Sequence, residues 1–136
     1  METFMLFEYQ MLGVMTLFFL FAWLPSSVGK WKSFGPKWLA SNREMVNGKE
    51  MVAWGARAER AHNNLKDYFP GFVVAIFLLG TLNKFDQSTA IASGIFVISR
   101  IVHLFSYVAG IVSLRALTYT LGMASNIYLL IKCFSF

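Results

Sequence analysis

Apolar residues run in four long blocks along the chain, and polar ones gather in short breaks between them. The first block covers about Phe4 to Leu24 and is closed by Pro25. Residues 25–50 read as a loop, carrying Gly29, Gly35, Pro36 and Gly48. A second helix is expected from about Glu50 to Leu82. Its first half is polar on one face, and its second half, Phe69 to Leu82, is apolar all round. Pro70 interrupts it and predicts a kink, because a mid-helix proline removes a backbone hydrogen bond. A turn over Asn83 to Ser88 leads to a third block, about Thr89 to Ile111. The fourth, about Arg115 to Phe136, follows a very short break.

A spanning helix needs roughly 20 mainly apolar residues. Four such segments use most of the chain, so the pattern predicts an all-α integral membrane protein, an up-down four-helix bundle with one domain over residues 1–136. Short connections make consecutive helices antiparallel neighbours. Gly94, Gly122, Ala124 and Ser125 are small enough to let helices approach closely.

Composition agrees. Of 136 residues, 57% are hydrophobic and 14% charged, where a soluble domain has about 25% charged. The net charge of +5 comes largely from loop one, with Lys30, Lys32, Lys37, Arg43 and Lys49 against Glu44 and Glu50. Such a loop beside a span is explained by topology and anionic lipid, and no nucleic-acid motif is present. The positive-inside rule then puts loops one and three in the cytoplasm and both termini on the other side. The membrane is bacterial inner membrane or endoplasmic reticulum. Glu2 and Glu8 give an acidic start, unlike the basic start of a signal peptide, so the first block reads as an uncleaved span. Cys133 is the single cysteine, excludes an intrachain disulfide, and reads as a small lipid-facing or packing residue.

Polar residues inside the blocks are the informative exception. A charge in the hydrocarbon core costs at least a few kcal/mol, so such residues have partners and usually a function. Arg57, Arg60, Asn64 and Asp67 recur at helical spacing, as do Arg100, His103 and Tyr107, and then Arg115 and Tyr119. One reading is structural. Arg60 pairs Asp67, Glu59 pairs His62 or Asn63, Arg100 caps a buried network, and Arg115 anchors at the interface. The other is a ligand fork, in which arginine holds carboxylates bidentately and aspartate takes an ammonium, suiting an amino acid or small peptide. Asn126 lies seven residues past Tyr119 and shares its face. No second histidine or cysteine stands at ligand spacing near His103, so no metal is expected.

The run Arg60-Ala61-His62-Asn63-Asn64-Leu65-Lys66-Asp67-Tyr68-Phe69-Pro70-Gly71-Phe72 resembles the signature of the MAPEG family, the membrane-associated proteins in eicosanoid and glutathione metabolism. Arg100-x-x-His103-x-x-x-Tyr107, followed by Leu114-Arg115-Ala116-Leu117-Thr118-Tyr119-Thr120, is similar to the third and fourth helices of its prostaglandin E synthase branch. The Asn-x-x-acid-Tyr-Phe-Pro piece is closer to its leukotriene C synthase branch. The resemblance implies a four-helix protomer in a homotrimer, with glutathione bound in a U shape between protomers near the cytoplasmic face. It implies glutathione binding by Arg60, Asn64, Asp67 and Tyr68 from the second helix and by Arg100, His103 and Tyr107 from the third. Arg115 and Tyr119 would be catalytic, Arg115 as the thiolate-stabilising arginine, and Lys30 or Lys32 would add a carboxylate contact. The implied activity is a glutathione transferase or peroxidase acting on a lipophilic electrophile that enters from the bilayer. Only the thiolate is nucleophilic. An adjacent cation favours it, each pKa unit being worth about 1.4 kcal/mol.

Two positions depart from the pattern. Asp67 stands where a glutamate is usual, one methylene shorter, and Ala116 replaces the serine that follows the arginine in the prostaglandin branch. These motivate an alternative, a non-catalytic trimer that binds lipid or serves as an accessory subunit of a membrane complex. The intramembrane charges also motivate a small transporter or channel, against which no inverted repeat or broken-helix pair is visible.

Overall fold

The structure is a computed structural model that describes residues 2–135, with side-chain surroundings from Phe7 onward. The expected end of the fourth block at Phe136, and the side chains of Glu2 and Phe4, lie outside that description. The described residues form six helices: α1 (Glu2–Phe21), α2 (Leu24–Phe34), α3 (Pro36–Leu39), α4 (Ala53–Thr81), α5 (Gln87–Ala109) and α6 (Val112–Phe134). Helix bounds fall within three residues of the expected ones for the last three blocks.

The first loop is the main correction. Pro25 does not close a helix; it sits in the first turn of α2, where its missing N–H would have no partner anyway. Helical structure therefore continues to Leu39, and only residues 40–52 form the connection to α4. Gly35, at φ +85°, makes the corner between α2 and α3. Arg115, expected to open the fourth block, lies in the first turn of α6, which begins three residues earlier at Val112. Helix α4 runs unbroken through Pro70.

Helices α4, α5 and α6 pack against one another, and α1 lies against α5 and α4. Phe72 of α4 and Phe96 of α5 stack at the centre with ring centroids 4.2 Å apart, both fully buried. Ile76, Leu79 and Leu129 fill the space around them. The outer surface is the reverse of a soluble protein's. Phe77, Ile98, Phe105, Leu17 and Ile131 are each more than half exposed. A soluble monomer rarely leaves contiguous apolar area on this scale bare, whereas a bilayer solvates it. Two helical stretches, Phe7–Phe34 and Gln87–Ala109, are long and apolar enough to cross a membrane. Helices α4, α5 and α6 carry the polar residues that build the site.

Close approaches fix the helix pairs. Gly29 of α2 meets Gly55 of α4 so tightly that a Cβ at Gly29 would lie 2.6 Å from the Gly55 Cα. Ser33 accepts the Val52 N–H at 2.9 Å beside that contact. Asp86 and Thr89 form a capping box that starts α5. Thr89 also holds Glu8 of α1, Oγ1 to Oε1, at 2.5 Å. Glu8 is fully buried, and its Oε2 has no partner among the described residues. Sequence reading used Glu8 only as part of an acidic start and missed this contact between α1 and α5.

Candidate functional site

The polar half of α4 presents two different faces, and each lines its own pocket. On one face Arg57, Asn64 and Tyr68 point toward α5 and α6. Arg57 Nε donates to the Val108 carbonyl at 3.0 Å, capping the end of α5, where a cation opposes the negative end of the helix dipole. On the opposite face Glu59, His62, Asn63 and Lys66 line a pocket of about 260 Å³ with Trp23, Ser26, Ser27 and Lys30 of the first helices and Arg43 of the connection to α4. There Lys30 pairs with Glu59 at 2.6 Å. Neither expected partner of Glu59, His62 or Asn63, is the one it takes.

The first face opens onto a cavity of about 370 Å³ between α4, α5 and α6. It is lined by Asn64, His103, Tyr107, Arg115, Ala116, Tyr119 and Thr120. Five residues singled out from the sequence thus meet there: Asn64, His103, Tyr107, Arg115 and Tyr119. The lining contains a guanidinium and no carboxylate. Arg115 lies over the Tyr107 ring, 4.7 Å from its centroid, a cation–π contact that holds the charge at the cavity wall.

Arg100 stands behind the wall. It is 2% exposed. Nη1 donates to Asn64 Oδ1 at 3.2 Å, and Nη2 to the carbonyls of Thr118 at 2.8 Å and Tyr119 at 3.2 Å. One guanidinium therefore ties α5 to both α4 and α6. Gly122 makes room for it, since a Cβ there would lie 2.5 Å from Nη2. No carboxylate pairs with Arg100 among the described residues, so its charge adds to that of Arg115 beside the cavity.

His103 is oriented by its backbone neighbour. Nδ1 lies 3.2 Å from the Arg115 carbonyl, so Nδ1 carries the proton and donates it. Nε2 is then an acceptor, buried and without a partner among the described residues. Thr118 also contacts Nδ1, at 3.4 Å, and donates to the Leu114 carbonyl at 2.8 Å. Tyr68 and Tyr119 meet through their hydroxyls at 2.5 Å, with rings edge to face. Asn126 donates to the Tyr68 carbonyl at 3.3 Å, so it braces α4 rather than lining the cavity.

Arg60 and Asp67 behave differently. Both are exposed on α4, neither lines the cavity, and they do not pair with each other. Sequence reading missed Thr118 and Thr120. The signal was available in part: Ala116 and Thr120 repeat the i, i+4 spacing of Arg115 and Tyr119 one position later, so both pairs share one face of α6.

This geometry suits a small anion with hydrogen-bonding groups at both ends. Two arginines supply positive potential, and Tyr119 and Thr120 supply hydroxyls. The family model described as the MAPEG family matches residues 11–135, nearly the whole chain. No curated protein and no solved structure matches the chain.

Proposed function

The chain belongs to the MAPEG family, and from that premise we propose that it is a glutathione-dependent membrane transferase or peroxidase acting on a lipophilic electrophile. The observation that carries this reading is the acid-free cavity at Arg115, with Tyr119 and Asn64 on its wall and Arg100 behind it. Glutathione brings two carboxylates, an ammonium and a thiol. The thiol loses its proton to solvent, and the sulfur rests beside Arg115, whose charge favours thiolate over thiol. Tyr119 donates a hydrogen bond to the same sulfur. The thiolate then attacks the electrophilic carbon, forming the S–C bond, and the displaced group leaves with the electron pair.

In this reading the protein is a trimer of four-span protomers, and the binding site lies between neighbours. Arg60 and Asp67, exposed on the single chain, become contacts for the peptide's carboxylate and ammonium there. The pocket around Lys30 and His62 then faces the peptide from the adjacent protomer. The loop-one end is cytoplasmic, with both termini on the opposite side.

A non-catalytic lipid-binding or accessory subunit is the second reading. It draws on the Tyr119 hydroxyl being tied to Tyr68 and on the absence of a hydroxyl at Ala116. One experiment separates the two. Purified protein is assayed for thermal stabilisation by glutathione and for conjugation of a generic electrophile, alongside Arg115→Ala. The enzymatic reading expects stabilisation and turnover that fall with the variant. Full activity in Arg115→Ala defeats the mechanism, and no glutathione effect in the parent protein favours the accessory subunit.

A further inference from the structure

One end of the molecule carries the aromatic and basic residues suited to the headgroup layer. The stretch Phe7–Phe34 spans 28 residues of nearly continuous helix. At about 1.5 Å per residue it is about 42 Å long, against a hydrocarbon core of about 30 Å. The last turns, from about Ser27 to Phe34, therefore emerge at headgroup depth. All four tryptophans of the chain, Trp23, Trp31, Trp38 and Trp54, lie at this end, as expected of an interfacial belt. On α2 the residues Leu24, Val28 and Trp31 form an apolar stripe, 41%, 48% and 54% exposed.

The same end carries exposed lysines, Lys32 next to the stripe and the others on the segments that follow it. Lys32 follows Trp31, Lys37 lies on α3, and Lys49 precedes α4, all exposed and without an acidic partner among the described residues. Lys30 is set apart, because Glu59 takes its charge. The other end differs. There Lys84 is consumed by the carbonyls of Cys133 and Ser135 at the end of α6, and Asp86 by Lys132.

We propose that the α2–α3 end binds anionic phospholipid, with the phosphate on Lys32, Lys37 and Lys49 and the first part of an acyl chain along Leu24, Val28 and Trp31. Charge decides between headgroups. A zwitterionic lipid offers its phosphate together with an ammonium that the same lysines repel, whereas a phosphatidylglycerol-type lipid offers the phosphate alone. Each lysine near such a surface favours the anionic lipid by about five-fold. Lys32, which the family resemblance offered as a carboxylate contact, lies outside the lining of the cavity at Arg115, and the proposal does not rest on the glutathione reading.

The position of the tryptophans supplies the test. The full chain is placed in nanodiscs of zwitterionic lipid doped with a small mole fraction of brominated phosphatidylglycerol, or of brominated phosphatidylcholine. Bromine quenches tryptophan on contact, so intrinsic fluorescence reads this end alone. The expected result is quenching by the anionic lipid that corresponds to at least a five-fold local enrichment over the zwitterionic one. The triple variant K32Q/K37Q/K49Q, made entirely of exposed side chains, brings the two lipids level, as does high salt. Equal quenching in the parent protein overturns the proposal. Enrichment that survives the triple variant overturns the assigned lysines.

Discussion

The hydroxyl of Tyr68 on α4 lies 2.5 Å from that of Tyr119 on α6, and the two rings meet edge to face at 5.5 Å. Only one proton can sit between the two oxygens. With Tyr68 donating, the Tyr119 proton is free to point at a bound sulfur, so Tyr68 acts as a positioning residue. Tyr119→Phe is expected to lower glutathione conjugation by about 10- to 100-fold, the range for a hydrogen bond to a charged group. Tyr68→Phe removes the orientation but keeps the donor, and costs less than Tyr119→Phe. Steady-state kinetics with both variants, and with the double variant, measures the coupling between them.

Arg115 provides the positive charge in the cavity wall. Arg115→Ala is expected to lower kcat about 100- to 1,000-fold, as for the loss of one preorganised electrostatic donor. Arg115→Lys keeps a charge but loses the planar stack on Tyr107, and retains an intermediate rate. The ultraviolet absorbance of enzyme-bound thiolate gives an independent readout, falling in Ala and partly restored in Lys.

Arg100 is predicted to matter for the fold before it matters for the ligand. Arg100→Met leaves Asn64 Oδ1 without its donor, at about 1–3 kcal/mol for a group left unpaired, while the Thr118 and Tyr119 carbonyls keep their bonds within α6. Gly122→Ala pushes a methyl into the same guanidinium and costs about 1–3 kcal/mol as overpacking. Thermal unfolding in detergent reads both, and the double variant is expected to lose less than the sum, since the methyl no longer meets a guanidinium.

Asp86 at the loop-two end sets a pH dependence. Lys132 at 2.7 Å, then the Ser88 hydroxyl, hold its carboxyl well below the usual carboxylate range. The folded form thus binds its proton less readily than the unfolded chain, whose value is about 3.9. The stabilisation is full above about pH 5 and is lost as pH falls below about 4. The pair is partly exposed, so its worth is about 1 kcal/mol or less. Asp86→Asn is expected to melt slightly earlier than the parent at pH 7. The difference shrinks as the buffer is taken below about pH 4. A constant difference across that range would show that the ion pair contributes nothing.

Much of the architecture was legible in order along the chain. Apolar block length and the breaks expected at 83–88 and 112–114 placed α4, α5 and α6 to within three residues, because hydropathy and turn chemistry are local properties. Helical spacing also placed Arg100 with His103, and Arg115 with Tyr119, on common faces. Pro25 was misread because the same residue ends one helix or begins the next, and only the path of the backbone distinguishes them.

What the sequence by itself determined is therefore which residues share a helix face and that those faces are too polar to meet lipid. The rotation of each helix against its neighbours lay beyond it. Tertiary packing decided that Arg57 caps α5, that Arg100 holds Asn64 and two α6 carbonyls, and that Glu8 reaches Thr89. It also left Arg60 and Asp67 facing outward from a stripe they share with Asn64. The physical reason is that periodicity fixes angles within one helix, whereas a cavity is a property of three helices whose relative rotation depends on contacts up to 58 residues apart, such as Asn126 with Tyr68.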